Sequence, residues 1–366
     1  MEELTVKPLP ETNDRGYYEM RLESIGGLGA NLCGKLLGEL GATYLGYNSS
    51  AFSSYGSEKR GSPVKAFIRW CAPEKELRIN SPVENPHILG IFHEAVIGKL
   101  PVTAGVLPNT KIVINTDQSP EQIRESMKLY AGELFCVDAL KIAMESKSRI
   151  NMVMLGAIAK AAGFFDLDPV LKLVEDTLGK KYPALLSANL EGVKRGYENA
   201  SSRCFAPDGQ YEKVSYQEPQ SDWGYANAPI GGVNTRFGSI VSNDLSASRE
   251  GYFPIFLPEK CINCGLCDST CPDMVFQFKP GEYKGKPAMV NMGLDYYHCK
   301  GCLRCVEVCP TNALVMGKER EHPDKTHFLR NQDLVVDHLD YERTGANSWV
   351  TSESYTDERR IDGGIV

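Results

Sequence analysis

The spacing of apolar and polar positions changes period repeatedly between residues 17 and 199. Tyr17 to Ile25 reads as a strand, glycines follow at Gly26, Gly27 and Gly29, and Ala30 to Leu40 takes up helical spacing, a strand-turn-helix unit. Val64 to Trp70 alternates in the manner of a half-buried strand, while Lys111 to Ile114 and Glu133 to Val137 are short apolar runs suited to the interior of a mostly parallel sheet. Helical stretches are predicted at Pro120 to Tyr130, Ala139 to Glu145, Asn151 to Ala162, Asp168 to Leu178 and Ala184 to Glu198. Such alternation predicts an α/β domain over residues 1–200.

The pattern then breaks. Residues 201–252 are polar and glycine-rich with single aromatics, and are expected to be an extended linker, either flexible or laid across a partner surface. Trp223, Tyr225, Phe237 and Ile240 favour the second alternative, because such side chains are poorly placed in water. A small α+β cysteine-rich domain is expected over 253–318. Residues 319–366 form a polar tail, disordered or wrapped on another chain.

Composition adds mainly exclusions. Hydrophobic residues make up 42% and charged residues 24% of the 366, enough for a sizeable core. The net charge of -7, with no basic run, argues against nucleic acid as a partner. The acidic start, Met1 to Thr5, shows no export signal, and the longest apolar stretch, Met152 to Phe165, is interrupted by Lys160 and too short to span a bilayer. A cytoplasmic, reducing setting is therefore expected, in which clustered cysteines are metal ligands rather than disulfides.

Eight of the 12 cysteines fall between Cys261 and Cys309. Cys261, Cys264, Cys267 and Cys271 recur as Cys299, Cys302, Cys305 and Cys309, each displaced by 38 residues, and each block ends in Cys-Pro. This C-x2-C-x2-C-x3-C-P run is the bacterial ferredoxin pattern: three thiolates serve one [4Fe-4S] cube and the fourth reaches the other. The expected sets are crossed, with Cys261, Cys264, Cys267 and Cys309 on one cluster and Cys299, Cys302, Cys305 and Cys271 on the second. Zinc, which takes cysteines as two pairs, fits the triplets poorly. Between the blocks, 276–286 reads as a hairpin whose Lys279, Lys284 and Lys286 either meet an acidic carrier or lie in a solvated turn.

Two further stretches carry possible ligand chemistry. Gly26-Gly27-Leu28-Gly29 could cradle a phosphate, yet as a dinucleotide fingerprint it has Leu32 at the third glycine position and no acidic residue about 20 positions on. As a P-loop, Gly29 to Lys35 has Leu36 in place of the magnesium-binding hydroxyl. A tight turn with close helix-sheet packing competes with both. Ser54, Tyr55 and Gly56, running on through Arg60 to Pro63, form a polar cationic loop able to touch an anion or a partner's active-site rim, or simply to be solvated. The six histidines form no ligand-spaced pair.

Together these residues resemble the 2-oxoacid:ferredoxin oxidoreductases, as a fused γ and δ subunit. The γ-like residues are Gly26 to Gly29, Ser54 to Gly61, Arg149 with Asn151 to Gly156, and Lys194 to Glu198; the δ-like ones are Asn243 to Gly251 and the cysteine blocks. Leu28 and Ser62 depart from the glutamine and glycine common at those positions. The resemblance implies a Rossmann-like γ-type domain, and thiamine diphosphate with magnesium on partner α and β subunits, since the Gly-Asp-Gly motif that binds them is missing from this sequence. It also implies delivery of electrons to external ferredoxin and, in some members, coenzyme A received near Gly26, Gly27, Gly29, Ser54, Tyr55, Gly56 and Arg60. A dimer of heterotrimers is expected, acting on pyruvate, another 2-oxo acid or oxalate. Rival readings are a nucleotide-driven ATPase with a ferredoxin insert and a stand-alone electron carrier.

Overall fold

The computed structural model describes residues 6–55, 62–217 and 245–322. The chain divides into two units, Met1–Glu218 and Pro219–Val366. In the first, β1 (Tyr18–Ile25), α1 (Ala30–Glu39), β2 (Asn48–Tyr55), β3 (Pro63–Cys71), β4 (Ile88–Ile91) and β5 (Lys111–Asn115) lead into α2 (Pro120–Met127) and β6 (Gly132–Val137). Four helices follow, α3 (Ala139–Ser146), α4 (Ile150–Ala162), α5 (Asp168–Val174) and α6 (Leu186–Asn199), and then β7 (Ser201–Phe205).

These strands make one seven-stranded sheet in the order β2-β3-β1-β4-β5-β6-β7. The central four are parallel, and β2, β3 and β7 run antiparallel to their neighbours. One face carries α1 and α4, with Met20, Leu22, Ile68 and Trp70 packed against Leu37, Val153 and Ile158. The other is closed by α2 and the loops before it, around Ile91, Ile112, Ile114 and Ile123.

Alternation in β3 predicts a half-buried strand, but its neighbour β1 is buried on both faces, and Arg69 of β3 is 2% exposed. The charges are absorbed by pairing. Arg69 Nε donates to Glu19 Oε1 at 2.6 Å, and Arg21 stands 3.1 Å from Glu23 while its guanidinium donates to the carbonyls of Val83, Glu84, Val102 and Ala104. A buried arginine bonded to four loop carbonyls lets irregular chain cover the part of the face over β1, while α2 packs near β6 and β7.

The apolar stretch from Met152 is the central helix α4, nearly all buried. No helix among the described residues is long and apolar enough to cross a membrane. It meets α6 through glycines: a Cβ on Gly156 would run into the Val193 carbonyl, and one on Gly196 into that of Val153. Replacing Gly196 by alanine is expected to cost about 1–3 kcal/mol by overpacking, seen as a lower urea midpoint at unchanged slope.

The expected linker 201–252 is shortened at both ends. Ser201–Phe205 joins the sheet as its edge strand, pairing antiparallel with β6, because the otherwise open edge offers a row of unpaired backbone groups. Further on, the Gly105 N–H donates to Val214 O at 2.8 Å and Arg21 lies 5.9 Å from the Tyr216 ring centroid, so this segment still belongs to the first unit. Trp223, Tyr225, Phe237 and Ile240 lie outside the described residues.

The second unit contains β8 (Tyr252–Phe256), α7 (Leu266–Thr270), β9 (Phe276–Tyr283), β10 (Lys286–Leu294), α8 (Arg304–Glu307) and β11 (Leu314–Lys318). β8 pairs antiparallel with β11, and β9 with β10. The hairpin expected over 276–286 turns at Lys284-Gly285, but its return strand runs on to Leu294, with a bulge between Asn291 and Gly293. Of the tail expected over 319–366, Glu319–Glu321 form a short turn and the Glu319 N–H donates to Gly251 O at 2.9 Å; residues 323–366 lie outside the described part.

Candidate metal centres

The 38-residue repeat is as exact in the backbone as in the sequence. Asn263 and Gly265 in the first loop have positive φ (57° and 73°), and so do their counterparts Gly301 and Leu303 (69° and 60°). After the fourth cysteine of each block, Met274 and Asn312 repeat the conformation (48° and 52°). Left-handed residues curl the chain so that successive N–H groups face inward. The Asn263 N–H points at Cys261 Sγ and the Gly301 N–H at Cys299 Sγ, both at 3.4 Å. Near the other end, the Ala313 N–H donates to Cys309 Sγ at 3.2 Å.

Two hollows result. One is walled by Cys261, Cys264, Cys267 and Cys309 with Phe256, Phe278, Asn291 and Leu314. The other is walled by Cys271, Cys299, Cys302 and Cys305 with Pro254, Val275, Phe276 and Leu303. Each therefore gathers three cysteines of one block and the last of the other. Among the described residues no three His, Cys, Asp or Glu side chains stand close enough to share a single ion; the thiols surround a space instead.

The donor set fits an iron-sulfur cube. Burial pushes the Cys299 thiol up to about 11 and that of Cys267 to about 12, and raises Cys305 as well. Burial also raises Cys309, but the N–H groups of Thr311, Leu314 and Ala313 outweigh it and hold that thiol below its ordinary value. Thiolates this dry need a compensating cation, which iron would supply. When bound, the clusters supply one-electron storage and transfer, with potentials set by charge, burial and hydrogen bonds to sulfur.

Two residues that sequence reasoning did not single out shape these walls. Arg249, within the Asn243 to Gly251 lead-in, is fully buried; its guanidinium donates to the carbonyls of Tyr296 and of Cys299 (3.1 Å), and to Glu319 at 2.7 Å. Asn291 reaches from β10 to donate its side-chain amide to Cys267 Sγ at 3.6 Å. Nothing in the local pattern marks Asn291. Beside the second cluster loop, His298 Nδ1 is 2.9 Å from Asp295 Oδ2, placing the ring in a buried pair.

In the first unit, the glycine turn and the loop after β2 come together. The Gly26 N–H donates to Ser62 O at 2.8 Å, and Ser53 Oγ to Asn31 Oδ1 at 2.9 Å. Gly29 precedes α1 with φ of 85°, and a Cβ there would strike the Asn151 side chain, so close packing demands this glycine; Gly27 (φ 114°) faces open space. Tyr55 shares a hollow with Asn31, Lys35 and Ser53, while Ser54 precedes it on β2. Leu36 is buried in the core, on the helix face away from solvent. Gly56 and Arg60 lie outside the described residues.

Both stretches resemble known proteins. Residues 19–199 match the pyruvate ferredoxin/flavodoxin oxidoreductase family and residues 260–313 a 4Fe-4S dicluster domain. The chain is 31% identical over 185 residues to the pyruvate synthase subunit PorC of Thermotoga maritima, covering 50% of this chain and 94% of that one. A crystal structure of a pyruvate oxidoreductase subunit PORC from Thermotoga maritima aligns with a TM-score of 0.44 at 27% identity, covering 51% of this chain and 98% of that one. The pyruvate:ferredoxin oxidoreductase of Moorella thermoacetica is 23% identical over 368 residues, an alignment spanning 84% of this chain and 30% of that protein. With a γ-type unit over one half and a dicluster domain following it, the chain belongs to the pyruvate ferredoxin/flavodoxin oxidoreductase family, as a γ-type subunit fused to an iron-sulfur domain.

Proposed function

We propose that this chain is the electron-transfer and docking subunit of a complex that oxidatively decarboxylates pyruvate or a closely related 2-oxo acid. Two [4Fe-4S] clusters are held, one by Cys261, Cys264, Cys267 and Cys309 and the other by Cys299, Cys302, Cys305 and Cys271. The observation that carries this reading is the pair of hollows, each walled by one of these sets, in a chain whose other unit is of the γ type. Thiamine diphosphate and magnesium sit on partner α and β chains, where the carbon chemistry takes place. The residues of this chain hold the clusters, keep water from their buried sulfurs and pass single electrons on to a ferredoxin. The turn at Gly26, Gly27 and Gly29, with Ser54, Tyr55, Gly56 and Arg60, serves the partner's active-site rim and contributes to receiving coenzyme A.

Anaerobic purification at native expression level tests this. Co-purifying chains that bind thiamine are expected, and pyruvate with coenzyme A should bleach the cluster absorbance of the complex but not of this chain alone. Recovery of the chain by itself, fully loaded with iron and with no thiamine-binding partner, would instead support a stand-alone electron carrier. Parallel additions of oxalate and other 2-oxo acids identify the substrate.

A further inference from the structure

We propose that Asn291 separates the reduction potentials of the two clusters by stabilising the reduced state of the one bound at Cys261, Cys264, Cys267 and Cys309, a reading that rests on the ligand sets proposed above. The loop backbones treat the first cysteine of each block alike. The two loops share their left-handed positions and their N–H to sulfur contact at 3.4 Å, so main-chain donors reach Cys261 and Cys299 alike.

The side chain of Asn291 breaks the symmetry. Its Nδ2 donates to Cys267 Sγ at 3.6 Å, a hydrogen-bonding distance for the larger sulfur atom. Two hydrogen bonds and burial hold it in place: the Gly293 N–H donates to its Oδ1 at 3.0 Å, its own N–H donates to Asn263 Oδ1 at 2.9 Å, and it is 5% exposed. Because Oδ1 already accepts from Gly293, the amide is oriented with its N–H groups toward the sulfur. Asn263 has no equivalent partner in the second loop, where its counterpart is Gly301. Cys305, the counterpart of Cys267, receives no side-chain donor among the described residues. Near the second cluster Arg249 is buried and paired with Glu319, and Lys300 and Arg304 line the hollow, Lys300 standing 3.2 Å from Asp273; Asn291 variants leave all three cations in place.

A reduced cluster carries one more negative charge than an oxidised one, so a fixed N–H donor stabilises the reduced form and raises the potential. In a dry pocket that effect is larger than in water. Asn291 therefore shifts an electron shared between the clusters toward the one beside it.

The test is an EPR-monitored redox titration of the full chain, purified anaerobically, with iron counted in every sample. Asn291→Leu removes the donor, and Asn291→Asp removes it while keeping an oxygen for the Gly293 N–H. In both variants one of the two midpoints is expected to fall while the other stays. The reduced-to-oxidised ratio of the affected cluster should drop up to about tenfold at the original midpoint, about 59 mV for one electron. Unchanged midpoints, or an equal shift of both, with iron retained at about eight per chain would overturn the proposal and leave the ligand sets standing. An unmodified chain with far fewer irons would overturn the ligand sets themselves.

Discussion

Replacing Cys261 and Cys309 together by alanine is expected to leave the chain with about half of its roughly eight irons, whereas replacing Cys261 and Cys271 together should remove nearly all of them. Each double variant deletes two thiols, one from the start of the first block and one from the end of a block, so the number of cysteines lost does not favour either. The difference arises in space. Cys261 and Cys309 wall the same hollow, and losing both sacrifices one cluster. Cys261 and Cys271 wall different hollows, so that pair of changes strips one ligand from each. If ligands were instead grouped block by block, the two results would be exchanged. Iron and sulfide determination with EPR spin counting on anaerobically purified chains gives the answer, and equal losses from both variants would sink the crossed assignment.

Arg249→Met should be nearly as damaging without touching a ligand. The substitution preserves much of the volume but removes the guanidinium that donates to the carbonyls of Tyr296 and Cys299 and to Glu319. Breaking a buried pair in this way costs about 3–5 kcal/mol. Loss should fall first on the cluster at Cys271, Cys299, Cys302 and Cys305, because the Cys299 carbonyl is held by Arg249 and a Cβ on Gly301 would press on the same arginine and on the Tyr252 carbonyl. Lysine should not rescue it, since one ammonium cannot reproduce the planar fork that spans two carbonyls and a carboxylate. The readout is the rate of iron release to a chelator on warming. A variant with full iron and unchanged release would show that the lead-in is dispensable.

How much was legible depended on the range of the interaction concerned. The strands at Tyr18 to Ile25 and Lys111 to Asn115 and the helices from α1 to α6 were visible because apolar periodicity is a local property of the chain. β2 was hidden by its composition: Asn48 to Tyr55 is rich in serine, as a half-exposed strand near a sheet edge tolerates. Ser201 to Phe205 looked like the start of a linker because its one strong reason to be extended, the open edge of β6, lies far away in sequence. In the same way the alternation of β3 predicted a wet face, while the loops that cover Glu19, Arg21 and Arg69 come from residues 79–104.

The candidate centres divide along the same line. By itself the sequence determined that there are two equivalent cysteine blocks and which turns they need, since C-x2-C-x2-C packs three donors and the left-handed positions that aim them into seven residues. That the blocks exchange their last cysteines also followed from the spacing, and the two hollows are lined accordingly; the tertiary structure alone decided that Arg249 ties the lead-in to one loop while Asn291 leans on a sulfur of the other. Those contacts join residues 24 to 50 positions apart, and burial decides their strength. No local pattern records either.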